Sequence, residues 1–115
     1  MSDLTEKQCI PCEGGVPTLT PEQARGLLAS LHQDWQLTNE EQAICREFRF
    51  KDYYRTIAFV NALAWIAHHE DHHPDLVVSY NRCRVEYSTH AVGGLTENDF
   101  ICAAKIDRLV AAAQG

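Results

Sequence analysis

The chain has 115 residues, of which 45% are hydrophobic, so it is long enough to close one core but not two. Its formal charge is −6 at pH 7 with only ten lysines and arginines, which argues against direct binding to nucleic acid and against attraction to anionic membranes. Residues 1–7 lack the basic start and apolar run of a secretory signal, and no stretch approaches the roughly 20 apolar residues of a membrane span, so we expect a cytoplasmic protein.

The cysteines indicate free thiols in a reducing compartment rather than a fold stabilised by disulfides. Their number is odd and most lie inside predicted strands or helices; the five are Cys9, Cys12, Cys45, Cys83 and Cys102. Cys9 and Cys12 have C-x-x-C spacing. A redox motif would follow a buried strand, and no strand is predicted before these residues. A structural zinc site would need a second close pair of ligands, and no other close cysteine pair exists. We therefore expect residues 1–18 to form a mobile leader and residues 19–115 to form the domain.

The domain begins with a predicted helix. Thr20 can cap it, Pro21 suits its first position, and Gln23 completes a capping box. The apolar face that follows at helical spacing consists of Leu27, Leu28 and Leu31.

Two strands are predicted next. The first begins at Trp35 and ends near Leu37, and residues 39–41 form the turn that follows it. The second covers residues 44–50, where Arg46 falls on the same face as Ile44 and Phe48. Its aromatic content favours a strand in spite of this imperfect alternation.

A long core helix is predicted from residue 52 to about residue 68. Its wide apolar face follows helical spacing and is centred on Tyr53, Ile57, Val60, Ala64 and Ala67, with Phe59, Leu63 and Ile66 at its flanks. Pro74 makes continuation past His73 unfavourable, because the residue before a proline is pushed towards extended geometry.

The remaining elements complete the predicted architecture. Strands are expected at residues 76–80 and 82–88, and the second alternates cleanly, with one face made of Cys83, Val85 and Tyr87. Gly93 and Gly94 mark a loop, and Thr96 caps a last helix. Because the strands pair locally and helices lie between them, we predict a single α+β domain, a four-stranded antiparallel sheet with about three helices packed on one face.

Four of the six histidines and three carboxylates lie within residues 68–75. The ordinary pKa of histidine is about 6.5, so such a cluster indicates proton transfer or metal binding unless it is a solvated helix end. His72 and His73 lie in the loop after the core helix, and His90 follows the last strand. If the two ends meet in space, three imidazoles with Asp99 nearby would line one pocket.

A metal site is one interpretation of the cluster. Residues 69–73 match the His-Glu-x-x-His pattern, and His68 and His72 have the spacing of two ligands on one helix face. Both ligands would have to lie well inside a helix, and Pro74 directly after His73 would unravel that turn. Metal-free acid/base chemistry is the alternative.

A set of fixed spacings connects these residues to a known family. The family pattern asks for a charged residue, His-His-Pro, an aromatic residue, a further histidine and an aspartate, which this chain supplies as His68, His72, His73, Pro74, Tyr80, His90 and Asp99. Many relatives have glutamate where this chain has His68. Over roughly residues 18–110 the sequence resembles the pterin-4a-carbinolamine dehydratases, also known as the dimerisation cofactor of hepatocyte nuclear factor family.

The resemblance implies an enzyme that removes water from a 4a-hydroxytetrahydropterin, giving quinonoid dihydropterin, with no metal or other cofactor. It implies that His72 and His90 transfer protons and that His73 orients the pterin or shares the acid/base role. The pterin-binding set implied by position is His72, His73, Pro74, Thr89, His90, Ala91, Val92 and Asp99. Within it, residues 89–92 would offer the backbone of an extended segment, and Asp99 would hold an imidazole tautomer or support the start of the last helix.

The resemblance also implies partners. Family members recycle tetrahydrobiopterin for aromatic amino acid hydroxylases, so phenylalanine hydroxylase is the expected metabolic partner. They form homodimers or homotetramers, and some act as transcriptional cofactors, a binding role that the residues of this chain leave open.

Overall fold

The computed structural model describes residues 4–11, 17–38 and 40–114. Its helices are α1 (Pro21–Leu28), α2 (Tyr53–Glu70) and α3 (Glu97–Gln114), and its strands are β1 (Gln36–Thr38), β2 (Ala43–Arg49), β3 (Asp75–Val78) and β4 (Arg82–Tyr87). Short 3-10 turns lie at Leu4–Glu6 and His90–Val92. The strands form one antiparallel sheet in the order β1-β2-β4-β3, which confirms the predicted α+β fold.

Local sequence signals fix several element boundaries as predicted. Thr20 Oγ1 accepts a hydrogen bond from the Gln23 N–H, and the Gln23 side chain accepts one from the Thr20 N–H, so the capping box is present at the start of α1. On β4, the face that the alternation assigned to Cys83, Val85 and Tyr87 is fully buried. In the part of the chain that the structure describes, no helix combines the length and apolar character needed to cross a membrane.

The buried face of α2 differs from the predicted one. The buried residues are Thr56, Phe59, Leu63, Ala67 and Glu70, whereas Tyr53, at the predicted centre, is 53% exposed. Phe59 and Leu63, which were placed at the flank, are the large side chains that enter the core. Thr56 lies on the same buried face, where its hydroxyl is 2.9 Å from the carbonyl oxygens of both Asp52 and Tyr80.

Arg46 lies on the core side of β2, as its position in the alternation predicted, and a partner on α3 neutralises it. Its Nη1 donates to Asp107 Oδ1 at 2.7 Å, and its guanidinium lies 4.2 Å from the centroid of the Phe48 ring. The same carboxylate accepts from Trp35 Nε1 at 2.7 Å and from the His32 N–H at 2.9 Å. Asp107 thus joins the sheet, the loop before β1 and α3.

Removing this carboxylate is expected to destabilise the fold strongly. Asp107→Ala leaves the largely buried Arg46 charge without a partner, so the free energy of unfolding should fall by about 3 kcal/mol. Glu41→Ala is the matched control, because it breaks an ion pair with Arg25 whose side chains are both exposed, and it should lower the free energy by less than about 1 kcal/mol. Urea denaturation measures both; equal losses would contradict the role given to Asp107.

The described part of the leader packs against the domain. Leu4 belongs to the hydrophobic core, Lys7 Nζ donates to Glu97 at 2.7 Å, and the Cys9 N–H donates to Glu70 Oε1 at 2.8 Å. Leu4, Lys7 and Cys9 therefore contact the domain, although the predicted domain boundary lies after them, at residue 19. The predicted mobility of residues 1–18 stays a prediction. Cys12 and Asn39 lie outside the described residues.

Candidate active site

The loop between α2 and β3 and the segment that follows β4 meet at one end of the sheet. They border a cleft of about 220 Å³ lined by Asp71, His72, His73, Ser88, Thr89, His90 and Ala91. A second cleft of about 210 Å³ shares Ser88, Thr89 and His90 with the first and is also lined by Gln42, Glu86, Gly93 and Gly94. The three histidines singled out in the sequence are thus brought to one cleft.

A left-handed residue at the end of α2 sets the different exposures of His72 and His73. The helix ends at Glu70, and Asp71 follows with φ 52°, a conformation that aspartate tolerates better than most residues. The His72 N–H then donates back to the Ala67 carbonyl at 3.1 Å. The chain turns so that His72 is only 7% exposed, whereas His73 is exposed.

A buried carboxylate holds the inner imidazole. His72 Nε2 lies 2.6 Å from Asp99 Oδ1, and Asp99 is fully buried in the first turn of α3. Asp99 Oδ2 accepts from the Thr96 N–H at 3.0 Å and from Thr89 Oγ1 at 2.9 Å. Asp99 therefore orients the imidazole and supports the start of the helix at once, the two roles that the sequence analysis offered as alternatives.

The surroundings of His72 favour its protonated form. Burial on its own would lower the pKa of His72, but the hydrogen bond and negative charge of Asp99 outweigh it, with smaller contributions from Cys102 and Asp71, so the pKa is raised. Because Nε2 is bound to the carboxylate, Nδ1 is the atom left for the cleft, and it has no hydrogen-bond partner among the described residues.

Tyr87 also belongs to the site, although the sequence placed it only on one face of the last strand. Its ring stacks on the His72 ring, with centroids 5.4 Å apart and planes inclined by 12°, and its Oη donates to the His72 carbonyl at 3.3 Å. Burial raises the pKa of Tyr87, so the phenol stays neutral. The alternation of β4 indicated the face on which Tyr87 lies, but a contact with a loop from another part of the chain has no local signal.

The segment after β4 is more compact than predicted. Residues His90–Val92 form a 3-10 turn rather than an extended segment, and Gly93 closes it with φ 66°. The Thr89 N–H donates to the Gly94 carbonyl, and the Thr89 carbonyl accepts from Val92 and Gly93. The predicted extended backbone is therefore wrong for residues 90–92, and the main-chain groups of Thr89 are hydrogen-bonded within the turn.

The predicted site residues divide into two groups. Those that line the first cleft are His72, His73, Thr89, His90 and Ala91, and those that do not are Pro74, Val92 and Asp99. Asp99 lies behind His72, and Pro74 joins His73 to the first residue of β3. His73, His90 and Ala91 are exposed on the cleft.

The His-Glu-x-x-His interpretation fails on backbone geometry. His69 lies in the last turn of α2, but His73 follows the left-handed Asp71, so the two do not share a helix face. His69 instead stacks on the exposed Trp65, with ring centroids 6.0 Å apart. Within residues 4–11, 17–38 and 40–114, no three His, Cys, Asp or Glu side chains are grouped as a metal site.

Comparison with known proteins gives the family. Residues 17–109 match the family model described as Pterin 4 alpha carbinolamine dehydratase. A relative from Nitrosomonas eutropha is 62% identical over 108 residues, covering 94% of each chain, and one from Legionella pneumophila strain Corby is 56% identical over 109 residues, covering 95% of this chain and 96% of its own. Both carry the provisional name pterin-4-alpha-carbinolamine dehydratase.

Solved structures agree with the fold. The crystal structure of a transcriptional coactivator/pterin dehydratase from Brucella melitensis has a TM-score of 0.76 at 34% identity, covering 81% of this chain and 98% of its own. A pterin dehydratase-like RuBisCO assembly factor of the alpha-carboxysome shares the fold, with a TM-score of 0.58 at 24% identity over 68% of this chain and 90% of its own. From the family model and the relatives together, the chain belongs to the pterin 4 alpha carbinolamine dehydratase family.

Proposed function

We propose that the protein dehydrates pterin-4a-carbinolamine by metal-free acid/base catalysis with the histidines of the first cleft. The reaction protonates the hydroxyl on C4a, breaks the C–O bond to release water, and removes the proton from N5 to give quinonoid dihydropterin. No electrons are exchanged with a second reactant. The observation that carries the proposal is the orientation of His72 by Asp99 at a cleft that His73 and His90 also line.

His72 is the proposed acid. Its raised pKa favours the imidazolium, and with Nε2 bound to Asp99 the proton that can be delivered is the one on Nδ1. Tyr87 stacks on the ring and keeps it in one plane. Delivery of that proton to the leaving hydroxyl would be typical of a general acid that contributes about 10²–10⁴-fold to the rate.

His90 is the proposed base for the N5 proton, and His73 orients the pterin or shares the proton transfer. Both are exposed on the cleft, so a flat heterocycle placed between the loops could contact them directly. Ala91 offers the remaining contact in this group. Thr89 and Asp99 would act through His72, and Pro74 and Val92 would shape the two loops, rather than touch the ring.

The biological setting proposed is tetrahydrobiopterin recycling in the cytoplasm for an aromatic amino acid hydroxylase such as phenylalanine hydroxylase. A homodimer or homotetramer is consistent with β3, an edge strand on which Val77 is 63% and Val78 39% exposed. A second candidate is a transcriptional coactivator role, which rests only on the name of the Brucella melitensis relative.

The decisive experiment measures dehydration of 4a-hydroxytetrahydropterin, generated by phenylalanine hydroxylase and followed by ultraviolet absorbance. Protein treated with a chelator is expected to accelerate the step as well as untreated protein does, because the proposed proton transfers need no metal. A folded protein that gives no acceleration would overturn the dehydratase proposal and leave the binding role. Loss of activity on chelation, restored by zinc, would overturn the metal-free mechanism.

A further inference from the structure

Two thiols from distant parts of the chain meet behind the cleft. Cys9 of the leader and Cys102 of α3 are 93 positions apart, and their Sγ atoms lie 3.6 Å from each other. Cys102 is fully buried, whereas Cys9 is half-buried. The proposed dehydration uses neither of them.

The backbone around Cys9 is held in place on both sides. The Cys9 N–H donates to Glu70 Oε1 at 2.8 Å, and the Ile10 N–H and carbonyl bond the Asn98 side chain at 3.1 and 2.7 Å. Glu70 is itself bound by Lys105 Nζ at 2.6 Å. Four hydrogen bonds among α2, α3 and the leader therefore hold the two sulfur atoms close to each other.

We propose that Cys9 and Cys102 form a reversible disulfide that ties the leader to α3. A disulfide has a sulfur–sulfur distance of about 2.05 Å, so closure needs the atoms to approach by roughly 1.5 Å. The oxidant is a small disulfide such as oxidised glutathione. Cys9 attacks one of its sulfurs and expels one thiol; Cys102 then attacks the Cys9 sulfur and expels the second. Two protein thiols are oxidised and one external disulfide is reduced to two thiols.

Cys102 is suited to the second step. The hydrogen bond from Cys9 outweighs burial and lowers the pKa of the Cys102 thiol, with help from His72 and Tyr87. Cys9 is the partner that solvent reaches, so it meets the oxidant first. The hydrogen bond with Cys102 and burial raise the pKa of the Cys9 thiol, so Cys9 passes its proton to the adjacent Cys102 thiolate when it attacks. Cys102 then gives that proton to the first thiol expelled and attacks the Cys9 sulfur as a thiolate. A stabilised thiolate also favours the reduced form, which makes such a bridge reversible, as expected of redox-sensing disulfides in reducing compartments.

Formation of the Cys9–Cys102 disulfide is expected to change the pKa of His72. The groups that face this imidazole are Asp99 and Cys102 from α3, Tyr87 from β4 and the adjacent Asp71. Negative charge on Cys102 raises the pKa of His72, and a disulfide carries no charge. Oxidation is therefore expected to lower the pKa of His72, a change that nuclear magnetic resonance can follow whether or not the protein is a dehydratase.

The test incubates the full chain with mixtures of reduced and oxidised glutathione and maps the bridges by mass spectrometry without reduction. The parent and Cys12→Ser are each expected to lose the mass of two hydrogens on oxidation. Their peptide maps should show the Cys9 peptide linked to the Cys102 peptide. Reductant should restore both hydrogens. Because the bridge closes most of the chain into one loop, the Tm should rise by roughly 5–15 °C. Cys9→Ser should show neither change.

The same experiment distinguishes the alternative pairing. A bridge between Cys9 and Cys12 would close a very short loop, would disappear in Cys12→Ser and would overturn the proposal. Glutathione retained on Cys9 without a link to Cys102, or no mass change at any glutathione ratio, would overturn it as well. Circular dichroism of Cys9→Ser and Cys102→Ala checks that both variants are folded before their failure to bridge is interpreted.

Discussion

Replacing both His72 and His90 by alanine is expected to lower the kcat for 4a-hydroxytetrahydropterin dehydration by about 10³-fold or more. Each well-placed acid or base contributes typically 10²–10⁴-fold, and groups that act together are not additive. The double variant removes the imidazole whose pKa Asp99 raises and an exposed imidazole on the same cleft. Most of the catalysed rate should therefore be lost. The observed rate cannot fall below that of the uncatalysed dehydration.

The control for this loss is His69→Ala. His69 belongs to the same histidine cluster in the sequence, but it stacks on Trp65 on the exposed side of α2 and does not line either cleft of the candidate site. Its kcat should stay within about twofold of the parent value. Equal losses in the two proteins would indicate a general effect on folding, and a double variant with parental activity would remove His72 and His90 from the mechanism.

Single variants separate binding from proton transfer. His73→Ala should raise KM more than it lowers kcat if His73 orients the pterin, since a contact made equally in the substrate and the transition state affects binding alone. A fall in kcat comparable to that of His90→Ala would instead assign His73 to the shared proton transfer. Absorbance at several pterin concentrations gives both constants.

Local patterns predicted the fold well because they act over short stretches of chain. The capping box at Thr20 and Gln23 and the alternation on β4 are complete within a few residues. The buried face of α2 was displaced because Phe59 and Tyr53 both belong to a wide apolar surface, and the packing of α3 and β4 decides which part of that surface is covered. Such a choice is made by tertiary contacts, not by periodicity.

The candidate site shows the same division. His72, His73 and His90 were expected to line one pocket if the loop after α2 and the end of β4 meet in space, and the structure brings all three to one cleft. The left-handed Asp71 separates the buried His72 from the exposed His73, and neither the periodicity nor the spacing of the histidines carried that information. The contact of Cys9 with Cys102 joins positions 93 residues apart, so no local pattern could have indicated it.

Asp99→Asn is expected to remove the function of His72 as an acid while it keeps the hydrogen bonds to Thr96 and Thr89. The amide oxygen can still accept from Thr96 and Thr89, which leaves the amide nitrogen facing His72 Nε2 as a donor. His72 must then accept at Nε2 and remain neutral with its proton on Nδ1, so it loses its capacity as an acid. We expect kcat to fall by about 10²-fold with a much smaller change in KM.

The same variant should change how stability depends on pH. Asp99 raises the pKa of His72 in the folded state above its unfolded value of about 6.5, so the stabilisation is fully present below that pH and is lost as the pH rises through the folded pKa. The difference in unfolding free energy between the parent and Asp99→Asn should therefore be largest in mild acid and shrink in mild alkali. Urea denaturation from about pH 5.5 to about pH 9 measures it.

An exposed pair provides the comparison that makes this result interpretable. Asp34 Oδ2 lies 3.8 Å from His32 Nδ1, with both side chains largely in solvent, so Asp34→Asn should change stability by less than about 0.5 kcal/mol at every pH. A difference for Asp99→Asn that does not vary with pH would mean that the carboxylate serves only the start of α3. A difference that grows towards acid would mean that the buried carboxylate holds a charged imidazole, as the proposed acid requires.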